Sequence, residues 1–397
     1  MNLSKRGMAV EESATLAISA KAKALKAEGH DVVDFGVGEP DFNTPAHIIA
    51  AAVEAMNKGM TKYTPASGTL DLRTAVCEKL LKENGLKYTP RQIVVSNGAK
   101  HSLYNAFLAV IDPGDEVLIP SPCWVSYPEM VKMADGVPVL VEASEEQGFV
   151  PTADQMEAAC TPRTKAIVLN NPVNPTGAAF DNREIEKIAA LAVKRDLFVI
   201  SDEIYEALSF DGYQPRSIAS YGEDIKERTI VINGVSKTYS MTGWRIGYAA
   251  AAAEVAQVMG NIQSQATSNP NSIAQFASIA ALKGPKDVVD GMVAEFDRRR
   301  KRIHFLINEI VGMSAIMPKG AFYLFVNISG LLGKKFKGET IADSMVFATR
   351  LLEEKKVAVV PGSAFFAEGF MRLSYALSME NLEKGVVRIG EFAKMLE

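Results

Sequence analysis

The chain has 397 residues, a length that allows two domains or one large domain with a smaller companion. Hydrophobic residues make up 48% and charged residues 23%, a globular composition that excludes disorder for most of the chain. The net charge of −4, from 43 basic and 47 acidic residues, argues against nucleic acid or an anionic membrane surface as the main partner.

Cysteine and histidine are sparse and scattered. The cysteines at 77, 123 and 160 show no CxxC spacing, so we expect neither a disulfide framework nor a zinc site, and the pattern suits a reducing compartment. The four histidines are too dispersed for a metal cluster. The most apolar stretch, residues 248–253, is far shorter than the roughly 20 residues of a membrane-spanning helix, and residues 1–20 lack a signal-peptide core. We therefore predict a soluble, cytoplasmic protein without a metal.

Short runs rich in Val and Ile recur through the middle of the chain and predict the strands of one large sheet. Each run is apolar throughout, which is typical of strands buried on both faces of a mostly parallel sheet. Helix-period segments lie between several of them, at 98–111 and at 182–195 with Asp181 as N-cap. This alternation predicts an α/β fold. The runs are residues 93–95, 117–119, 139–141, 166–169, 198–200, 230–232 and 246–249.

The last third of the chain predicts a second, smaller α+β domain. The apolar spacing over 287–310 indicates a long amphipathic helix, and we expect its basic run 298–302 to be a solvated face rather than an anion-binding patch. Three shorter strands and a closing helix are predicted after it, at 322–327, 357–360 and 371–374 and from Asn381. We therefore divide the chain into 1–45 (an arm and part of the small domain), 46–286 (the large domain) and 287–397 (the small domain).

Polar side chains follow four of the predicted strands, at the end where ligands bind in open α/β sheets. Taken singly, each segment has an ordinary structural explanation as a helix start, a turn, an N-cap or a surface lysine. Their combination at successive strand ends indicates one site. The segments are Ser-Asn-Gly-Ala-Lys at 96–100, Asn-Asn-Pro-Val-Asn-Pro-Thr-Gly at 170–177, Ser-Asp-Glu-Ile-Tyr at 201–205, and Asn-Gly-Val-Ser-Lys at 233–237 with Arg245 beyond it.

One cofactor, pyridoxal phosphate, uses all of these groups. Its aldehyde needs an amine, which Lys237 supplies, and its ring nitrogen needs an anion, which Asp202 supplies. Tyr205 is a hydrogen-bond donor for the phenolate oxygen of the ring. Once a substrate amine has displaced Lys237, that lysine can move a proton between the α-carbon and C4′ of the cofactor. A phosphate cradle is expected from Gly98, Ala99, Lys100 and Arg245.

Several segments resemble motifs of the class I pyridoxal-phosphate aminotransferases, in order from about residue 30 to the C-terminus. Ser236-Lys237, followed by Met-Thr-Gly-Trp-Arg-Ile-Gly at 241–247, is similar to the lysine signature of that family. The subgroup that the chain resembles most is the prokaryote-type aspartate aminotransferases, some of which also use prephenate. The other similar segments lie at 38–42, 63–68, 122–128, 174–177 and 201–205.

The resemblance implies a fold-type I homodimer with active sites at the subunit interface. It also implies that Asn174 joins Tyr205 at the phenolate oxygen and that Trp124 stacks on the ring of the cofactor. Tyr63 would reach the phosphate held by the other subunit. We also place Ser236 among the cofactor-binding residues, although relatives carry the phosphate-binding serine three residues before the lysine, where this chain has Gly234.

The resemblance also implies how an amino-acid substrate is held. Arg372 matches the arginine that binds the α-carboxylate, through two parallel bonds that a lysine cannot make. The backbone of Gly38, the amide of Asn174 and the ring of Trp124 would assist.

A second cation is expected for the distal carboxylate of the substrate. Animal-type aspartate aminotransferases use an arginine before the long helix, but no arginine occurs here between Arg245 and Arg298. The prokaryote-type subgroup carries a lysine after the phosphate turn, which is Lys100 here. Thr15, in the arm, is expected to cover the substrate.

The sequence thus predicts transamination of L-aspartate with 2-oxoglutarate, giving oxaloacetate and L-glutamate by a ping-pong mechanism. The alternative is a glutamate/aspartate–prephenate aminotransferase that makes arogenate, or one enzyme that does both. An aromatic or alanine aminotransferase is disfavoured because Lys100 suits a second carboxylate. A catalytically silent regulatory module of this fold would be expected to lack the cofactor residues, which are all present here. A lyase or synthase of this fold would share those residues, and product analysis with and without a 2-oxo acid acceptor distinguishes it from an aminotransferase.

Overall fold

A computed structural model of the chain describes residues 3–8, 10 and 14–397, without the side chains of residues 5, 6, 14–17 and 19. Among the helices described, none is long and apolar enough to cross a membrane. The helices are α1 (Lys5–Met8), α2 (Ala14–Ala27), α3 (Ala46–Asn57), α4 (Leu70–Asn84), α5 (Ala99–Val110), α6 (Ser126–Met133), α7 (Ala153–Ala159), α8 (Asn182–Arg195), α9 (Glu223–Arg228), α10 (Ala253–Ala266), α11 (Ser272–Lys283), α12 (Asp287–Asn308), α13 (Ser344–Lys355) and α14 (Met379–Lys394).

The strands are β1 (Val33–Asp34), β2 (Ile93–Ser96), β3 (Glu116–Ser121), β4 (Val137–Glu142), β5 (Thr164–Asn170), β6 (Phe198–Asp202), β7 (Thr229–Gly234), β8 (Gly247–Ala250), β9 (Ser314–Ala315), β10 (Tyr323–Asn327), β11 (Lys335–Phe336), β12 (Glu339–Thr340), β13 (Val357–Ala358), β14 (Val360–Pro361) and β15 (Phe370–Ser374). In the described part of the chain, seven of them form a central sheet in the order β2-β8-β7-β6-β5-β3-β4. Neighbouring strands are parallel except at β8, which is antiparallel to both β2 and β7. Each of the predicted apolar runs overlaps one of these strands.

Helices cover both faces of the central sheet. Successive residues of a strand point to opposite sides, so neighbouring residues of one strand pack against different helices. Val117 and Ile119 of β3 pack in the same apolar cluster as Phe107 of α5. Leu118, between them, packs on the other side with Ile188 of α8. Each fully buried aliphatic side chain contributes roughly 1.5–3 kcal/mol relative to an exposed one. The predicted fold class, an α/β fold of type I with a mostly parallel sheet between helices, is confirmed.

A smaller antiparallel sheet lies beside α12 and α13, on which α14 packs, and has the strand order β14-β15-β10-β9 among the described residues. The long helix predicted over 287–310 is α12, and the closing helix α14 begins two residues before the predicted Asn381. The single strand predicted at 357–360 is wrong. Val359 separates β13, which pairs with β1, from β14, which pairs with β15, because the two halves find partners in different sheets.

The basic run on α12 is not the solvated face that we expected. Arg300 is 0% exposed and donates to the carboxylate of Asp211 at 2.7 Å and to the carbonyl of Pro318 at 2.6 Å. Arg299 is also buried and donates to Asp41 Oδ1 at 2.7 Å. The expectation was wrong at these two residues, because distant carboxylates supply the partners that a buried guanidinium requires.

The division of the chain at residues 45 and 286 stays a prediction. In its support, α12 begins at Asp287, and the ring of Phe296 on this helix stacks at 5.5 Å on Phe322, next to β10. Tyr205, which follows β6 of the central sheet, packs in this same apolar cluster. The two packed regions therefore meet at the carboxyl end of β6, where the sequence predicted a site.

Candidate active site

A cavity of about 490 Å³ lies where the loops after β5, β6 and β7 face the smaller sheet. Parallel strands bring the residues that follow them to one edge, so segments far apart in sequence converge there. Most of the predicted site residues line this cavity: Gly38, Ala99, Lys100, Trp124, Asn174, Asp202, Tyr205, Ser236, Lys237, Arg245 and Arg372.

Two predicted residues, Gly98 and Tyr63, do not line the cavity, and the side chain of a third, Thr15, is not described. Gly98 immediately precedes its wall, as the N-cap of α5. Tyr63 lies outside it, with 91% of its surface exposed. The side chain of Thr15 lies outside the described residues, so its predicted place over the substrate stays a prediction.

The amine of Lys237 points into the cavity. Its Nζ donates to the carbonyl of Gly38 at 2.6 Å. Burial lowers the pKa of Lys237 to about 8, with Arg372 and Arg245 acting in the same direction and Glu39 opposing them. A lysine with a lowered pKa carries more neutral amine at neutral pH, which is the nucleophilic form that attacks an aldehyde.

The carboxylate of Asp202 lies at the carboxyl end of β6 and is buried. Its Oδ2 accepts a hydrogen bond from the hydroxyl of Tyr127 at 2.8 Å, and its Oδ1 accepts from the amide of Ile204 at 3.2 Å. Burial raises the pKa of Asp202 to about 6, although the two hydrogen bonds act to lower it. A protonated ring nitrogen beside this carboxylate would favour its charged form.

Two tyrosine hydroxyls meet at the wall of the cavity. The Oη atoms of Tyr205 and Tyr323 are 2.9 Å apart, and both rings are buried. Sequence reasoning missed Tyr323, because it stands in an apolar run that reads only as a strand. It also assigned no role to Tyr127, although the motif at 122–128 that contains it was a usable signal.

Arg372 is a buried cation on β15, with 3% of its surface exposed. Its Nη1 donates to Oδ1 of Asn174 and its Nη2 to the carbonyl of Gly36, each at 2.9 Å. Its Nε has no partner among the described residues, and no carboxylate in that part of the chain pairs with it. Burial lowers the pKa of Arg372, and only tyrosine charges oppose that effect. A buried guanidinium without a carboxylate partner is suited to bind the carboxylate of a ligand.

The start of α5 and Arg245 together form a cradle for an anion. The helix begins at Ala99, so its first amides have no partner within the helix. Arg245 adopts a left-handed backbone and donates from Nη1 to the carbonyl of Thr242 at 2.9 Å. The Nζ of Lys100 lies 4.6 Å from the centre of the Trp124 ring. Burial, assisted by the charge of Arg245, lowers the pKa of Lys100.

Ser236 is buried and lines the cavity, whereas a side chain at position 234 would have no room. A Cβ at Gly234 would lie 2.9 Å from the Cα of Gly247 and from the carbonyl oxygen of Ile246. A serine three residues before Lys237 would therefore require β7 and β8 to move apart.

The residues that line the cavity fit pyridoxal phosphate. They supply an amine, a buried carboxylate, a phenol and a cradle of amide and guanidinium donors around one space. Because Oδ1 of Asn174 accepts from Arg372, its Nδ2 is the atom left to donate to a ring oxygen. Within the described residues, no group of three or more His, Cys, Asp or Glu side chains is arranged to hold a metal ion.

Comparison with known proteins places the chain in a family. Residues 30–389 match the family model described as aminotransferase class I and II. An aspartate aminotransferase of Bacillus subtilis is 48% identical over 99% of both chains, and an aspartate/prephenate aminotransferase of Cereibacter sphaeroides is 48% identical over 96% of both. A solved aspartate aminotransferase from Thermus thermophilus with maleate superposes with a TM-score of 0.93 at 44% identity, covering 98% of this chain and 99% of that one.

Proposed function

The chain belongs to the aminotransferase class I and II family, and on that premise we propose that it transfers the amino group of L-aspartate to 2-oxoglutarate with pyridoxal phosphate. One observation carries the proposal. The cavity holds the amine of Lys237 together with two cations, Arg372 and Lys100, that no carboxylate of the described residues pairs with. A dicarboxylic amino acid has one carboxylate for each cation and an amine for the reaction.

The groups around the cofactor ring have separate tasks. Pyridoxal phosphate supplies, when bound, the electron sink that lets the α-carbon of an amino acid lose its proton. Lys237 holds the cofactor by its aldehyde and, once free, is the base whose Nζ takes the α-proton. Asp202 keeps a proton on the ring nitrogen. Tyr205 and Asn174 donate to the ring oxygen, and Trp124 covers one face of the ring.

The phosphate has its own set of donors. We place it against the first amides of α5, at Ala99 and Lys100, with the guanidinium of Arg245 and the hydroxyl of Ser236. Gly98 allows this arrangement, because its backbone φ of 89° suits glycine and leads directly into the helix.

The substrate is held at both ends. Arg372 binds the α-carboxylate, with the backbone of Gly38 and the amide of Asn174 beside it. Lys100 binds the distal carboxylate, and Thr15 closes over it from the arm. Prephenate also carries two carboxylates, and the chain is as similar to an aspartate/prephenate aminotransferase as to an aspartate aminotransferase. Transamination of prephenate to arogenate is therefore the second candidate.

The outer face of α3 supports the proposal of a homodimer. Ile49, Val53 and Met56 are exposed and follow one another at helical spacing, and Met60 is exposed just after the helix ends at Asn57, while Ile48, on the inner face, is buried. Tyr63 projects just beyond this stripe, where it would reach the phosphate bound by the other subunit. A stripe of this kind suits burial against a second copy. A cytoplasmic location, and amino acids and 2-oxo acids as small-molecule partners, stay part of the proposal.

The direct test is a panel of amino donors with 2-oxoglutarate as acceptor, measuring glutamate formed. We expect aspartate to give the highest kcat/KM and Lys237→Ala to lose nearly all turnover. A parallel assay offers prephenate as acceptor and measures arogenate. Absence of glutamate from aspartate, or continued product formation without any 2-oxo acid, would show that the chain catalyses a different reaction.

A further inference from the structure

We propose that Tyr323 is a positioning residue of this active site, which orders the hydroxyl of Tyr205 and the guanidinium of Arg372 together. The inference rests on the proposed function, since it takes Tyr205 as a donor to the cofactor and Arg372 as the ligand of the substrate α-carboxylate.

A hydrogen bond between the two tyrosine hydroxyls connects Tyr323 to Tyr205. The Oη atoms of Tyr205 and Tyr323 lie 2.9 Å apart, and each hydroxyl has one hydrogen to donate. If Tyr205 donates its hydrogen to the ring oxygen of the cofactor, then Tyr323 must be the donor between the two. A hydroxyl that accepts a hydrogen bond becomes a stronger donor. Tyr323 therefore both orients the hydroxyl of Tyr205 and strengthens its bond to the cofactor.

The register of the smaller sheet places Tyr323 beside Arg372. β10 and β15 are antiparallel neighbours, with Tyr323 opposite Ser374 and Phe325 opposite Arg372. Tyr323 and Arg372 are therefore diagonal neighbours on one face of the sheet. The Cζ of Arg372 lies 4.3 Å from the centre of the Tyr323 ring, within the range of a cation–π contact. The ring holds the plane of the guanidinium, which a two-point bond to a carboxylate requires.

Two substitutions separate these effects. Tyr323→Phe removes the hydroxyl and keeps the ring, so we expect kcat with aspartate to fall about 2- to 10-fold while KM stays within about twofold. The pH midpoint of the visible absorption of the bound cofactor should move upward. A weaker donor at Tyr205 leaves more negative charge on the ring oxygen, which then holds the neighbouring proton more tightly.

Tyr323→Leu removes the hydroxyl and the ring. We expect the same spectroscopic shift, together with a KM that rises about 3- to 10-fold for aspartate and for alanine alike. The two amino acids share the α-carboxylate and the α-amino group but not the distal carboxylate. Equal rises therefore exclude Lys100 as the group affected, and the contact of the Tyr323 ring with Arg372 assigns them to the α-carboxylate. Tyr375→Phe is the matched control, because its buried hydroxyl donates to the carbonyl of Ala321 at 3.1 Å, outside the cavity lining. It should change neither the spectrum nor KM.

Each of the two roles of Tyr323 has its own result that would overturn it. An absorption midpoint in Tyr323→Phe equal to that of Tyr375→Phe would overturn the link to Tyr205. A KM in Tyr323→Leu no higher than in Tyr323→Phe would overturn the link to Arg372. A failure of the proposed function is distinguishable, because it would appear in the unsubstituted enzyme, as no uptake of pyridoxal phosphate or no glutamate from aspartate.

Discussion

A Cβ atom on Gly98 would lie 2.8 Å from the Cζ of Arg245, so a side chain at position 98 would require the guanidinium to move. Gly98 also has a backbone φ of 89°, which residues other than glycine rarely adopt. Both features occur where the phosphate of the cofactor is proposed to bind, and they lead to the first prediction.

Gly98→Ala should weaken the binding of pyridoxal phosphate about 10-fold or more, because the added methyl group displaces Arg245. The measurement is the Kd of the cofactor for the apo-enzyme, by equilibrium titration. Gly114→Ala is the matched control, since Gly114 has the same φ of 89° but nothing within 4 Å of an added Cβ. Both variants incur backbone strain of roughly 1–3 kcal/mol. Equal affinities in the two variants would contradict the role of the close approach.

Lys100→Ala should raise KM for aspartate about 10- to 100-fold, the range expected from loss of a hydrogen bond to a charged group. For alanine or phenylalanine, which lack a distal carboxylate, KM should change little. The measurement is steady-state kinetics on the three amino donors. If KM rises equally for all of them, Lys100 does not read the distal carboxylate and instead supports the phosphate or Trp124, whose ring lies 4.6 Å from its Nζ.

The lowered pKa of Lys237, about 8, predicts how the apo-enzyme reacts with aldehydes. Below pH 8 the neutral amine is a minority that grows about tenfold per pH unit, so labelling of Lys237 should rise at that rate and level off above pH 8. The experiment traps a neutral aromatic aldehyde with borohydride and quantifies the labelled peptide by mass spectrometry. Peptides with other lysines are the internal reference. Labelling that still increases steeply at pH 10 would show that the cavity does not lower this pKa.

A buried ion pair between Lys79 and Glu206, next in sequence to Tyr205, should contribute strongly to the free energy of unfolding. Lys79 is 8% exposed and donates to the carboxylate of Glu206 and to Asn84 Oδ1 at 2.8 Å. Asn233 Nδ2 donates to the same carboxylate at 2.7 Å, which joins the end of β7 to the segment that carries Tyr205. Lys79→Met leaves a buried charge without its partner, and should lower the free energy of unfolding by about 3–5 kcal/mol.

The double variant Lys79→Met/Glu206→Gln should recover much of that loss, because the charge that was left unpaired is gone. Thermal and urea unfolding of the holoenzyme measure both variants. Lys58→Met is the control, since Lys58, at the C-cap of α3, forms with Glu54 an exposed pair that should contribute little. A double variant no more stable than Lys79→Met would show that the loss comes from packing and not from charge.

Val53→Asp should dissociate the proposed dimer, because it places a charge in the exposed apolar stripe of α3. Sedimentation velocity would show the slower monomer, and retention of pyridoxal phosphate should fall as Tyr63 of the second copy is lost. Val311→Asp is the control, because Val311 is 91% exposed and lies outside this stripe, in the turn between α12 and β9. If both variants sediment like the unsubstituted protein, the stripe is not a subunit interface.

Local pattern was enough to predict the central sheet and the identity of most groups at its edge. A run such as 230–232 is apolar throughout because both faces of β7 are covered, and that property is visible without knowledge of its neighbours. Lys237 and Asp202 were predictable for the same reason, since each follows such a run and parallel strands end at one edge.

Contacts between distant segments were beyond prediction from the sequence. Residues 357–360 divide between two sheets, and Arg300 is buried by Asp211 and Pro318, although the segment around it resembles an exposed helix face. Such partners depend on how α12 packs against the rest of the chain, which no local pattern records.

The sequence by itself therefore determined which chemical groups this protein brings to the cavity, because residue type and strand order are local and topological properties. The tertiary structure alone decided how those groups are held. Tyr323 meets Tyr205 across 118 residues of chain and lies beneath Arg372, because the smaller sheet docks against the edge of the larger one. Hydrogen-bond donors and the surroundings of a buried cation are set by that docking, since both depend on atoms within a few ångströms and not on neighbours in sequence.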